Sequence, residues 1–184
     1  RQLGTETQET GTDLEGNPIP YASQPLAVME DVVSASAGAD FTVALKADGT
    51  LWTWGGNDEG QLGTGTTEGS ATPVQVLDQV TAVVAGDYHV VALRIDGTLW
   101  TWGDNLYGQL GDGTYTSRLT PAQVMEGVTT VAAGVGATAA IRTDSTLWTW
   151  GDNLFGQLGD GTQDSRPTPQ QILTDVSAVN LGGY

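Results

Sequence analysis

The sequence predicts an all-β protein: a β-propeller of four-stranded antiparallel blades, in an incomplete ring of about three full blades plus two partial ones. Three observations lead there. Asp-Gly-Thr-Leu-Trp-Thr-Trp-Gly stands at residues 48–55 and 96–103 and returns at 144–151 with Ser145 in place of glycine, a spacing of 48 residues both times. Other ladders keep that phase: Gln-Leu-Gly at 61–63, 109–111 and 157–159, opened by Gln2-Leu3-Gly4; Pro25, Pro73, Pro121 and Pro169; Gly38, Gly86, Gly134 and Gly182. The chain also carries 26 glycines at regular turn-like intervals, and six tryptophans among many Val, Thr and Leu residues, which favours short strands over long amphipathic helices. A fixed period of this size marks a unit that cannot bury its own apolar face and must stack on its neighbour.

Residues 80–124 serve as the template for one blade. Val80 to Ala85 is a continuous apolar run that suits a buried inner strand. Gly86-Asp87-Tyr88 turns the chain, His89 to Arg94 forms a second strand, Asp96-Gly97 reads as a two-residue hairpin turn, and Thr98 to Trp102 forms a third. Pro121 opens a short fourth strand to Val124, and because proline removes a ladder donor this strand is expected at the outer edge. By period, the blades are expected at 32–79, 80–127 and 128–175. Residues 1–31 would supply the outer strand of a preceding blade, with a loop inserted at 5–24, and 176–184 the inner strand of a following one, from Val176 to Leu181. Two partial blades cannot close a ring, so the chain is expected to be a piece of a longer protein.

Each tryptophan pair, Trp52 with Trp54, Trp100 with Trp102 and Trp148 with Trp150, stands two residues apart on the third strand and therefore points to one side of its sheet. The expectation is that these six are structural and fill the gaps between blades.

The formal charge of −16, from 22 acidic against six basic residues, excludes the clustered Lys and Arg that phosphate backbones and anionic membranes require. Nucleic acid and membrane insertion are therefore not expected, and a protein partner with a basic patch is. Absence of cysteine removes disulfides, thiolate nucleophiles and cysteine metal sites together.

Trp-Gly-Asp-Asn-Leu-Tyr-Gly-Gln-Leu-Gly-Asp-Gly at 102–113, nearly repeated at 150–161, resembles the repeat of the regulator of chromosome condensation family. The resemblance covers almost the whole chain and implies blades of a seven-bladed propeller. That family often carries a histidine three residues after the Ala-Gly glycine, as His89 follows Gly86; Phe41 and Ala137 take the equivalent places, so packing or hydrogen bonding is expected of His89 and not catalysis. No nucleophile elbow, phosphate-binding Gly-Lys-Thr or repeated His and carboxylate constellation occurs, and the protein is read as no enzyme, without cofactor.

Asp104, Asp112, Asp152 and Asp160 invite a metal reading, but their spacing does not match a calcium loop, and Asx turns account for them better. Gly4 to Gly38 spans 34 residues where the later repeats span 23, which places an 11-residue insertion within Thr5 to Gln24. Its Glu6, Glu9, Asp13, Glu15, Ile19 and Tyr21 form the candidate partner-binding loop.

The function read from all this is a noncatalytic protein-protein interaction scaffold, expected in a bacterial, extracellular or cell-surface setting. The resemblance also suggests a secreted enzyme inhibitor of the β-lactamase-inhibitor type. A guanine-nucleotide exchange role is disfavoured by the missing basic tail, and ultraviolet sensing by the missing Gly-Trp-Arg-His-Thr motif.

Overall fold

The structure, a computed structural model, describes the backbone of residues 9–12 and 18–21 and, in full, residues 27–182. Strands β1 (Glu9–Thr12) and β2 (Pro18–Tyr21) pair as an antiparallel hairpin within the inserted segment. Three four-stranded antiparallel sheets follow. The first holds β3 (Val32–Ala37), β4 (Phe41–Lys46), β5 (Leu51–Gly55) and β6 (Ser70–Leu77) in chain order. The second holds β7 (Val80–Ala85), β8 (His89–Arg94), β9 (Leu99–Gly103) and β10 (Arg118–Met125). The third holds β11 (Val128–Ala133), β12 (Ala137–Arg142), β13 (Leu147–Gly151) and β14 (Arg166–Leu173). No helix occurs among the described residues, and none there is long and apolar enough to cross a membrane. No hydrogen-bonded sheet closes the array into a ring.

The core lies between sheets. β7 packs on β3 and β4, and β11 on β7 and β8. At the first junction Phe41, Val43, Leu45 and Leu62 of one sheet meet Val80, Val83, Val90 and Trp102 of the next in one buried cluster. Val91, Leu93 and Leu99 meet Val128, Val131, Ala140 and Trp150 at the second. Central strands are buried on both faces, as β8 shows from His89 to Leu93, while the fourth strands alternate between half-buried and exposed residues at the rim.

Three details differ from the sequence expectation. The Asp96-Gly97 turn has a three-residue loop: the Gly97 N–H donates to Arg94 O and the Arg94 N–H to Thr98 O, with Gly97 alone at positive φ (80°). That is a type I turn closed by a glycine bulge, and it releases the demand for positive φ at both central residues. The prolines do not open the fourth strands. Pro73, Pro121 and Pro169 sit inside β6, β10 and β14, each within the stretch where pairing to the third strand shifts register. A bulge on an edge strand leaves a residue without a ladder partner, which suits a residue with no N–H. Finally, Val176 to Leu181 carries no strand; Val176, Val179 and Leu181 pack instead on Ala132, Ala139, Ile141 and Leu147 of the third sheet. A strand requires a laterally bonded neighbour, and among the described residues this segment has none.

A further ladder fastens one blade to the next. The turn residues Gly49, Gly97 and Ser145 accept through their carbonyls the N–H groups of Val80, Val128 and Val176 at 2.9–3.0 Å. Asp31, Gln79, Gly127 and Asp175 each adopt φ between 58° and 68°, so the chain bends sharply before each apolar run. Gly127 alone signals this in the sequence, since the other three positions carry side chains.

Candidate binding face

Register fixes which loops share an end of the array. Phe41 pairs with Gly55 and Gly55 with Ser70, so turn 38–40 and loop 56–69 lie together; 86–88 with 104–117 and 134–136 with 152–165 repeat the arrangement. This loop face is where the sequence varies within a constant frame.

The frame is a set of polar side chains, all buried except Gln157, that replace missing backbone partners. Asn105 accepts the Leu110 N–H through Oδ1 at 3.0 Å and donates through Nδ2 to Thr114 O and Thr116 O. Asn57 and Asn153 do the same for their own loops. Gln61, Gln109 and Gln157 accept from the N–H groups of Glu59, Tyr107 and Phe155 at 2.9 Å. Thr53, Thr101 and Thr149 hydroxyls donate to Leu62, Leu110 and Leu158 O at 2.8 Å.

The second tryptophan of each pair belongs to this frame as well as to the core. Trp102 and Trp150 are fully buried and donate through Nε1 to Gln61 O and Gln109 O of the preceding sheet at 3.0 Å. Trp54 is also buried. The first of each pair, Trp52, Trp100 and Trp148, is half-buried and donates to the hydroxyl of Thr50, Thr98 or Thr146 in the hairpin turn. Arg94 and Arg142 lie over the rings of Trp100 and Trp148, 5.0 and 5.8 Å from their centroids.

Carboxylates considered as metal ligands are engaged within the loops. Asp104 accepts from Leu106 N–H and from Gln109 Nε2 at 2.7 Å, and Asp152 from Leu154 N–H. Asp112 accepts from Thr114 and pairs with Arg118 at 2.6 Å; Asp160 accepts from Thr162 and pairs with Arg166 at 2.9 Å. Burial raises the Asp112 carboxyl, yet the Arg118 and Thr114 hydrogen bonds outweigh it and hold it below the ordinary carboxylate range. Asp160 is held well below that range, first by the Thr162 side chain and backbone and then by Arg166 and Asn153.

His89 is wholly buried between the second and third sheets. The Thr138 hydroxyl donates to Gln109 O at 2.8 Å, so it receives the proton of His89 Nε2 at 3.1 Å, and Nδ1 is left without a hydrogen-bond partner among the described residues. Burial pushes the imidazole pKa down to about 4 against the opposing pull of Asp104. Gly86 makes room for the ring: a Cβ there would lie 2.2 Å from His89 Cε1, just as one on Gly38 would lie 2.0 Å from Phe41 Cε1. The histidine therefore reads as a junction residue, its Nε2 engaged with the Thr138 hydroxyl whose own proton goes to Gln109 O.

Between the pinned Asn and Gln of each loop stand two further residues, Asp58-Glu59, Leu106-Tyr107 and Leu154-Phe155, all exposed except the half-buried Tyr107. Leu106 is 66% exposed and Tyr88, on the adjoining turn, 42%. A cleft of about 560 Å³ opens among them, lined by the acidic Asp40, Asp58, Glu59, Asp87 and Asp104 together with Tyr88, Leu106, Tyr107 and Val135. Val135 and Gly136 join it to an apolar recess of about 720 Å³ beside Ala137 and Leu181. Of the candidates in the insertion, Glu9 is the backbone partner of Tyr21 in the β1–β2 register, and Ile19 that of Gly11. Glu6, Asp13 and Glu15 lie outside the described residues.

Tandem four-stranded blades that stack through a buried Asn, Gln and Trp frame and display variable loops on one face define a propeller-repeat protein. The chain belongs to the regulator of chromosome condensation (RCC1) repeat family, whose profiles match residues 48–93, 96–141 and 144–184, and 32–61, 80–109 and 128–157. It is 54% identical over 39 residues to the Regulator of chromosome condensation of Xenopus laevis, a stretch that is 21% of this chain and 9% of that protein. It is 40% identical over 55 residues to the mitochondrial RCC1 domain-containing protein RUG3 of Arabidopsis thaliana, 30% of this chain and 12% of that one. Among solved structures, human WBSCR16 superposes with a TM-score of 0.74 at 23% identity, over 94% of this chain and 49% of the other. Prp20p of Saccharomyces cerevisiae, a protein with binding properties toward Gsp1p and histones, superposes with 0.72 at 20% identity, over 86% and 41%. The chain thus spans less than half of either solved relative, and the two curated relatives are matched over short stretches of their length.

Proposed function

We propose that this chain is a noncatalytic protein-interaction scaffold and that its loop face, with the insertion at 5–24 beside it in sequence, engages a partner bearing a basic patch. The observation that carries the reading is the contrast within each loop: the Asn, Gln and Thr anchors hold one hydrogen-bonding pattern in all three blades, while the outward pairs at 58–59, 106–107 and 154–155 change from acidic to apolar. A rigid frame with variable exposed tips is how a repeat array separates stability from recognition. Negative charge on that face favours encounter with a cationic surface. Binding of Gsp1p and histones by Prp20p supports a protein partner in the same fold.

The test is a comparison of proteins retained by the immobilised chain and by a variant with Asp58→Asn, Glu59→Gln, Leu106→Ser and Leu154→Ser, each at low and high salt. Retention that the variant loses, and that high salt weakens, is the expected result. Retention indifferent to the four substitutions removes the loop face from the proposal.

A further inference from the structure

The cleft on the loop face, lined mainly by the first two blades, combines two unlike kinds of side chain. Its lining includes the carboxylates of Asp58, Glu59 and Asp87 together with Tyr88 and Leu106, which present a phenol ring and an isobutyl group to solvent, and the half-buried Tyr107. Exposed apolar surface rimmed by charge is a feature of interaction sites, because leaving it in water is unfavourable unless something covers it. The basic residues of the described chain do not neutralise these carboxylates. Arg118 and Arg166, at the loop-face end, are paired with Asp112 and Asp160. Lys46, Arg94 and Arg142 end their strands at the opposite end of the sheets, and Arg94 is bonded there to Asp78.

We propose that this cleft seats an arginine side chain from an extended, basic segment of a partner protein, with a neighbouring apolar residue of the same segment resting on Leu106. The inference rests on the scaffold reading above and names the chemistry of its partner. Arginine fits better than lysine for a physical reason. A guanidinium is planar and weakly hydrated, so it can lie on a tyrosine ring while its edge donates to carboxylates, whereas an ammonium keeps its water and offers no flat face. The cleft, at about 560 Å³, holds more than one side chain, which leaves room for the apolar neighbour.

The experiment titrates the full chain with three fluorescein-labelled, end-capped hexapeptides that differ only in their charged residues: an Arg-Leu-Arg core, a Lys-Leu-Lys core and a Glu-Leu-Glu core. Anisotropy should rank them in that order, with no measurable binding of the third. Replacing Asp58 and Asp87 together by Asn should weaken the arginine peptide about fivefold and flatten its salt dependence. Leu106→Ser should weaken it while leaving the salt dependence intact. Far-ultraviolet circular dichroism of each variant shows whether the sheets persist. Tyr88→Leu, which keeps apolar surface but removes the ring, should shrink the difference between arginine and lysine. Equal binding of arginine and lysine peptides, or indifference to Asp58, Asp87 and Leu106, overturns the proposal. Should the peptides fail while proteins are still retained through the loop face, the scaffold reading stands and only the arginine seat is lost.

Discussion

The two blade junctions share a backbone plan but differ in chemistry at their centres. Between the first and second sheets Phe41 fills the space beside Gly38, and Val90 stands opposite in an apolar cluster. One repeat later His89 takes the place of Phe41 and Thr138 that of Val90, so that a buried imidazole, a hydroxyl and the Gln109 carbonyl replace hydrocarbon. Both junctions keep the same tryptophan bond to the preceding Gln carbonyl. What the array requires there is a matched pair that fills the gap, and either chemistry does so, although the polar pair leaves His89 Nδ1 without a partner among the described residues.

The shared element should dominate. Trp102→Ala and Trp150→Ala remove a fully buried indole and a hydrogen bond, and each is expected to cost about 4 kcal/mol by denaturant unfolding. Near-equal losses are the expected outcome; a markedly smaller loss at Trp150 would show that the polar junction relies on other contacts.

The difference between junctions should appear in acid. The folded-state pKa of His89 lies at about 4, below the ordinary 6.5, so the neutral ring is the form that folding favours. Its contribution is complete above pH 6.5, falls as pH drops toward 4 and is then lost, a change of about 3 kcal/mol. His89→Phe, which copies Phe41, should flatten stability across that window. The reverse swap, Phe41→His, should introduce acid sensitivity at the first junction and also weaken the protein at neutral pH, since Val90 offers no hydroxyl. If wild type and His89→Phe show the same slope between pH 6.5 and 4, the assignment fails.

Loop anchors should matter less than either junction centre. Asn105→Ala leaves the Leu110 N–H and the Thr114 and Thr116 carbonyls without their partner and is expected to cost about 2 kcal/mol, with faster amide exchange confined to 105–117. Ser145→Gly is the smallest effect and has the opposite sign. Ser145 is held at φ 62° where Gly49 and Gly97 sit at 81° and 80°, so glycine should stabilise by roughly 1 kcal/mol, seen as a higher Tm. A lower Tm would mean that the serine side chain compensates for its strain.

The sequence alone carried the strand order of a blade, because the short apolar runs, the repeated turn glycines and the 48-residue phase are local and repeat without interruption. It also held a readable signal for the loop anchors: Asn57, Asn105 and Asn153 persist while the preceding aspartate becomes Gly56 in the first repeat. There the Asp40 side chain enters from the neighbouring turn and binds Gln61 at 3.2 Å. That substitution joins residues 21 positions apart and has no trace in spacing.

Other features depend on neighbours the chain meets only when folded. The bends at Asp31 and Gln79 come with carbonyls that accept the N–H groups of Ala47 and Ile95 in the hairpin turn of the same blade. The prolines fall inside strands because a register shift at the rim accommodates them. Whether His89 meets a hydroxyl or a methyl is settled across the blade boundary, by Thr138. The cleft likewise arises from side chains of separate repeats, Asp58 and Glu59 from one and Tyr88, Leu106 and Tyr107 from the next. Periodicity determines what each blade is, because hydrogen bonding and side-chain alternation act over a few residues; stacking determines what the blades present together, because burial and charge act through space between residues that sequence order keeps far apart.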